Sequence, residues 1–164
     1  MTSSRYRRIG LISDTHKLLR PQALDFLRGC ELIVHAGDLV TPDALDELGA
    51  LAPVVAVRGN NDRGDWARAL PETARVRIGE VELLVVHDLA TLAKDEPLGE
   101  GVRVVVSGHS HKPGVEERGG VLFVNPGSAG PRRFSLPISA GELLIGPGGA
   151  VDARIVQLVP PAGA

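Results

Sequence analysis

Apolar runs of strand length recur along the chain, and each of the early ones ends in a short polar cluster. Ile9 to Ser13, Leu32 to Ala36 and Val54 to Val57 read as strands. Pro21 to Arg28 reads as a short helix between the first two, with proline in the first turn where its missing N–H costs nothing. Thr41-Pro42-Asp43 has the form of an N-cap, a proline at N1 and an acid in the first turn. That pattern predicts a second helix running to about Leu51. Together these segments form a βαβαβ unit, and right-handed crossovers would make its strands parallel.

The rhythm then changes. Ala74 to Ile78 and Val81 to His87 flank Gly79-Glu80, and Val115 to Arg118 and Val121 to Asn125 flank Gly119-Gly120. Ala140 to Ile145 and Val151 to Val159 flank a Gly/Pro-rich turn. Each pair predicts a hairpin. Val102 to Ser107 is a further apolar strand, Leu89 to Lys94 reads as one or two helical turns, and the tail (159–164) reads as frayed. The fold class expected is α/β: two packed mixed β-sheets, a β-sandwich core, flanked by helices. No internal repeat or low-complexity linker breaks the chain, so residues 1–164 are expected to form one domain.

Composition narrows this little. Aromatics are only 3% of the residues, so the core must be built from Val, Leu, Ile and Ala. A net charge of -2 gives no footprint for nucleic acid or an anionic membrane. Cys30 is the single cysteine, so no internal disulfide can form, and a buried or half-buried thiol is expected. The basic start, Met1 to Arg8, precedes an apolar run that Asp14 cuts off, too short for a signal-peptide core or a membrane span. A soluble cytoplasmic protein is the expectation.

The chemistry sits in the polar clusters. All five histidines fall in them: Asp14-Thr-His16, His35-Ala-Gly-Asp38, His87-Asp88 and Gly108-His109-Ser-His111. Gly59-Asn60-Asn61-Asp62 follows the third strand in the same way. Asp, His and Asn are ligands for hard-to-borderline divalent metals, and strand ends are where open α/β sheets place their chemistry. In an extended segment residues two apart point the same way, so Asp14 and His16 would reach one ion, and His109 and His111 would face one direction. Gly37 would let the chain turn to aim Asp38, whose two oxygens suit a bridge between two metals.

Each cluster also has an ordinary reading. Asp14 and His16 suit a turn and a cap, Gly37-Asp38 a tight turn, and Asn60 and Asn61 a loop that satisfies its own backbone. His35 sits closer to its strand and reads as supporting a ligand from behind or as merely packed. His87 alone suits a hydrogen-bonded core residue, and Asp88 suits a helix N-cap. Asp62 would hydrogen-bond a ligand from behind. Arg58 reads equally as a phosphate contact or a solvated strand end. Asn125-Pro-Gly-Ser128 reads first as a tight turn, and Arg132 and Arg133 as surface charge. Five such clusters after successive strands, in this order, favour the metal reading.

At these residues the chain resembles the calcineurin-like metallophosphoesterases, whose blocks have the form D-x-H, G-D, G-N-x-D/E, H and G-H-x-H. The match spans Ile9 to about Arg133. Its shortness, the Gly59-Asn-Asn-Asp62 form and the Asn125-Pro-Gly-Ser128 turn resemble the small YfcE-like phosphodiesterase branch. The resemblance implies that Asp14, His16, Asp38 and His111 hold one metal, and that Asp38, Asn60, His87 and His109 hold a second, with Asp38 bridging. It implies two divalent ions, manganese first, with iron, zinc or nickel as alternatives. Asp38, Asn60 and His87 become the catalytic set, and Arg58 and Asn61 the substrate contacts.

The expected reaction is phosphodiester hydrolysis by a hydroxide bridging the metals, on a small phosphate ester that includes nucleotide-like ones. A phosphomonoesterase and a non-catalytic scaffold of the same fold are the alternatives, and homo-oligomerisation is left open. Two departures stand out. Many members carry histidine where this chain has Asn61, which removes a candidate leaving-group acid. The block-four histidine is commonly followed by glycine, whereas here Asp88 follows.

Overall fold

The structure, a computed structural model, describes residues 5–92, 98 and 101–160. Among the described residues ten strands form two five-stranded mixed sheets, ordered β10-β9-β1-β2-β3 and β4-β5-β6-β8-β7. In the first sheet β1 (Arg7–Ile12), β2 (Leu32–His35) and β3 (Val54–Ala56) run parallel. Their registers place Ile12 beside His35 and His35 beside Ala56. All three therefore end on one edge, so the polar cluster after each emerges at the same place. Helix α1 (Pro21–Leu27) and helix α2 (Asp43–Gly49) make the crossovers. The hairpin β9 (Ile138–Ile145) and β10 (Val151–Val159) closes this sheet by pairing β9 antiparallel to β1.

The second sheet contains the other two hairpins. β4 (Thr73–Ile78) pairs with β5 (Val81–Val86), and β7 (Gly114–Arg118) with β8 (Val121–Asn125), both antiparallel. β6 (Val102–Val106) joins them, parallel to both β5 and β8. The expected two-sheet α/β architecture is the one observed.

Strand alternation explains the core. In β5, Leu83 and Val85 point between the sheets, where Leu11, Val34, Val104, Val106 and Leu143 meet them. Leu84 and Val86 take the outer face with Val105 and Phe123. On the far side of the first sheet, Ile12 and Ile33 pack under Ala23 and Leu27 of α1 and Leu48 of α2, together with buried Cys30. With few aromatics available, branched aliphatics fill the space.

Several local expectations need correction. The second helix begins at Asp43: Pro42 occupies the cap position, already helical at φ -73° and ψ -10°, and no side chain caps the helix. Thr41 lies outside it, and Asp43 and Asp46 meet the positive end of the helix dipole instead. A short helix α3 (Asp65–Arg68), carrying Trp66, follows the third cluster and was not expected. β1 stops at Ile12 rather than Ser13, because the chain leaves the sheet there and Asp14 N–H bonds the Gly37 carbonyl. Leu89–Thr91 forms one 3-10 turn, and Val159, expected to begin the frayed tail, is instead the last residue of β10, paired with Ile138. The remainder of the expected helical stretch at 93–94 and the tail at 161–164 lie outside the described residues, as do 1–4. Among the described residues no helix is long and apolar enough to cross a membrane.

Candidate metal centre

The loops after β1, β2, β3, β5 and β6 converge where the like-directed edges of the two sheets meet. Backbone hydrogen bonds sew them together. His16 N–H donates to the Asp38 carbonyl, Gly108 N–H to the His87 carbonyl, and Ala129 N–H to the Ser13 carbonyl. Asp62 does more of this work than any other side chain. Its carboxylate accepts the N–H groups of Asp38 and Gly59 on one oxygen and of Val40 on the other, tying the second loop to the third.

The result is two adjoining groups of donor atoms. In the first, Asp14 Oδ1 lies 3.5 Å from His111 Nε2 and 3.9 Å from His16 Nε2. In the second, Asn60 Oδ1 lies 2.9 Å from His87 Nε2 and 3.3 Å from His109 Nδ1. Asp38 Oδ2 stands between them, 3.6 Å from His16 Nε2 and 3.4 Å from His87 Nε2. Two sets, Asp14 with His16 and His111, and Asp14 with Asp38 and His87, bring their donor atoms within 4.8 Å of one another. Every expected ligand thus reaches the one site. His35 does not.

The backbone path differs from the extended one expected. Asp14, His16, Asp38, His109 and His111 all have positive φ, between 44° and 70°. That region is uncommon for residues with a side chain and collects at functional sites. Its effect on Gly108-His-Ser-His111 is decisive. The two histidines do not face one direction: His109 meets His87 edge-on, with ring centres 5.1 Å apart, and His111 lies beside His16 at 5.6 Å.

Hydrogen bonds prepare individual atoms. His87 Nδ1 donates to the Ala36 carbonyl at 2.8 Å, which turns Nε2 toward Asp38 and Asn60. Burial pushes the His87 pKa down, but the Asp38 carboxylate beside it more than compensates and the net shift is upward. Burial also pushes the Asp38 carboxyl up. The His87 contact and the N–H and amide donors of Asn61, each at 2.9 Å, outweigh it and hold Asp38 well below the ordinary carboxylate range.

Asp14 keeps a raised pKa, because its burial exceeds the help from the Ser13 hydroxyl, His87 and His111. His111 is lowered by burial, with the charges of Arg133 and His16 adding to the effect. His35 is wholly buried and pushed down to about 3 by desolvation, with His87 adding. Both its nitrogens are committed, Nδ1 accepting from Gly37 N–H and Nε2 facing the Thr15 hydroxyl. It is a strut under the first two loops.

Other expected contacts fall differently. Asn61, expected to face substrate, gives its amide to Asp38 Oδ2. Arg58 is half-buried and paired with Glu72 at 2.8 Å. Arg58 and Glu72 line a cleft of about 480 Å³ beside the second group, together with Asn60, Thr73, Asp88, Leu92 and His109. Asp88 does cap the turn after it, accepting Ala90 N–H at 3.0 Å.

The sequence reading passed over Ser13, whose buried hydroxyl donates to Asp14 Oδ2 at 2.7 Å. It passed over two close approaches as well. A Cβ on Gly59 would strike the Asp38 carboxylate, and one on Gly108 would strike the Ser13 hydroxyl. A glycine directly before a polar ligand at a strand end was the available signal.

The donor set fits divalent metal on its own chemistry. Asp14 Oδ1 and His16 Nε2 are buried without a hydrogen-bond partner among the described residues, as is Nδ1 of His111. A buried carboxylate oxygen left unpaired costs several kcal/mol unless something positive completes it.

Comparison with known families agrees. The model of the calcineurin-like phosphoesterase superfamily domain matches residues 8–145. The chain belongs to the calcineurin-like phosphoesterase superfamily. A relative in that superfamily, a probable metallophosphoesterase of Methanothermobacter thermautotrophicus, is 39% identical over 167 residues, covering 93% of this chain and 94% of the relative. The phosphoesterase YfcE of E. coli has the same fold, with a TM-score of 0.68 at 23% identity, over 93% of this chain and 100% of that one. Vps29 of Entamoeba histolytica, in a crystal structure complexed with Zn2+, gives a TM-score of 0.67 at 26% identity, over 93% and 99%. The superfamily resemblance is thereby shown, and a metal-dependent phosphoesterase is the family setting of this site.

Proposed function

We propose that the protein is a dinuclear-metal phosphodiesterase acting on small phosphate esters. The observation that carries this reading is the position of Asp38 Oδ2 between two donor groups, within 3.6 Å of His16 on one side and 3.4 Å of His87 on the other. Asp14, His16, His111 and Asp38 would hold one ion, and Asp38, Asn60, His87 and His109 the other, with manganese the first candidate. When bound, two such ions supply a nucleophile from water at neutral pH and neutralise charge on the phosphoryl oxygens.

The protein's own groups do the rest. Asp62 and Asn61 hold Asp38 in place, and the Ala36 carbonyl fixes the His87 ring. Arg58, at the cleft, would offer charge to the phosphate while Glu72 restrains it. A neutral amide at Asn61 cannot protonate a departing alkoxide, so substrates with good leaving groups should be favoured.

Vps29 of Entamoeba histolytica, a protein of the same fold, is complexed with Zn2+ in its crystal structure, and metal binding by itself is no measure of hydrolysis. The test is therefore hydrolysis. Protein loaded with Mn2+ is assayed on bis-nitrophenyl, mono-nitrophenyl and alkyl nitrophenyl phosphates. We expect the diesters to be cleaved faster than the monoester, with nitrophenolate as the preferred leaving group. No hydrolysis of any of them by the doubly loaded protein would overturn the enzyme reading. A faster monoester would recast it as a phosphomonoesterase.

A further inference from the structure

We infer that Asp88 is a positioning residue for the second metal, acting through His109. The inference rests on the dinuclear reading above and extends it to a residue outside the ligand set. Asp88 Oδ2 lies 3.7 Å from His109 Nε2, while His109 Nδ1 lies 3.3 Å from Asn60 Oδ1. The ring thus has a carboxylate at one nitrogen and the second donor group at the other.

Its backbone is pinned independently, since His109 N–H donates to Asp14 Oδ2 at 3.1 Å. Asp88 is pinned as well. Its Oδ1 caps the 3-10 turn through Ala90 N–H, and the Thr91 hydroxyl donates to its carbonyl at 2.7 Å. One carboxylate oxygen builds the turn, and the other is left facing imidazole.

A carboxylate beside the distal nitrogen of a ligating histidine fixes the ring's tautomer and orientation. It keeps the proton on Nε2, so that Nδ1 presents its lone pair. This matters more at His109 than at the other histidine ligands. Its side chain is 45% exposed, against 6% for His87 and 3% for His111, so packing does little to orient it. Where the family pattern has glycine after the block-four histidine, this chain supplies the second carboxylate that an exposed ligand lacks.

The substitution that isolates this role is Asp88→Ser. Serine retains the cap but is too short to reach His109. Metal-free protein is titrated with Mn2+ by calorimetry, and the Zn2+-loaded form is examined by long-range 15N–1H correlation to locate the His109 proton. The wild type should bind two ions, with the His109 proton on Nε2. Asp88→Ser should weaken the second binding step by about 10- to 100-fold and leave the first step unchanged. Asp88→Asn, which keeps an oxygen within reach but no charge, should fall between them. Equal thermal midpoints of the metal-free proteins would show that the turn is intact.

Two bound ions with an unchanged second step in Asp88→Ser would overturn the inference and leave the dinuclear reading standing. A wild type that binds fewer than two ions would overturn both.

Discussion

The Asp14, His16 and His111 group and the Asn60, His87 and His109 group share Asp38 but meet solvent differently. In the first, the Asp14 side chain is 0% exposed, His111 3% and His16 18%. In the second, Asn60 is exposed, His109 is 45% exposed, and the cleft opens beside them. Backbone hydrogen bonds tie the loop of the first group to its neighbours, from Asp14 and His16 to the second loop and from Ala129 to Ser13, and His35 meets Thr15 behind it. The second rests on side-chain contacts, with His87 held by the Ala36 carbonyl and His109 facing Asp88. The contrast suggests a division of labour, with the sealed group anchoring an ion and the open group meeting the substrate.

Asp38 is common to both, so its loss should have the largest effect. Asp38→Asn removes the charge between the groups. It should lower diester hydrolysis on the order of 10³-fold and cost affinity at both ions. Calorimetric titration with Mn2+ alongside the diester assay checks this. A drop below tenfold, with both ions still bound, would remove Asp38 from the shared position.

The next test asks whether the groups differ as described. His109→Ala should cost about 10²-fold in hydrolysis. Its effect on metal-free stability should stay within about 0.5 kcal/mol, because the ring is exposed. His111→Ala should cost stability as well, about 1–3 kcal/mol, since it removes the imidazole 3.5 Å from the buried Asp14 Oδ1, an oxygen that accepts no hydrogen bond. Urea unfolding of both metal-free variants measures the difference. Equal losses would break the comparison.

Much of this was legible in the sequence because each ligand cluster follows an apolar run, and strand ends in a two-sheet fold come to common edges. The hairpins were legible from Gly79, Gly119 and the Gly/Pro turn before Val151. The directions of the side chains were not. Alternation along an extended chain places His109 and His111 on one side, but positive φ at both residues sends them to different groups. Left-handed backbone at a residue with a side chain is imposed by tertiary contacts, here the Asp14 carboxylate holding His109 N–H. The pairing of β9 with β1 was equally hidden, because it joins segments far apart in sequence. Asp62 was legible as a support behind the ligands, but not the three backbone donors it takes from two separate loops.

Acid should separate the two groups in order. Ligation requires neutral imidazole. His87, in the second group, has a raised pKa, so protons compete for it from a higher pH as acid is added. His111, in the first, has a lowered one and stays neutral further down. Lowering the pH from 8 should release the second ion first, its affinity falling about tenfold per pH unit once His87 holds its proton. Bound Mn2+ measured after equilibration at each pH should pass from two to one before reaching zero. Loss of both ions together would blur the distinction.

The smallest effect belongs to His35, beneath the sealed group. In the folded protein its pKa is pushed down to about 3, against an ordinary value near 6.5 in the unfolded chain. The unfolded state therefore binds the extra proton first. The stability contributed by neutral His35 is fully present above about pH 6.5 and is lost as pH falls toward 3. The slope is about 1.4 kcal/mol per pH unit, or about 2 kcal/mol between pH 6.5 and 5. His35→Asn removes the titrating group while keeping a polar side chain near Thr15. Urea unfolding of metal-free protein across this window should show a slope shallower by about one proton in the variant. The same slope in both proteins would mean that protonated His35 is tolerated in the fold, and that the strut under Asp14 and Asp38 is looser than its two hydrogen bonds imply.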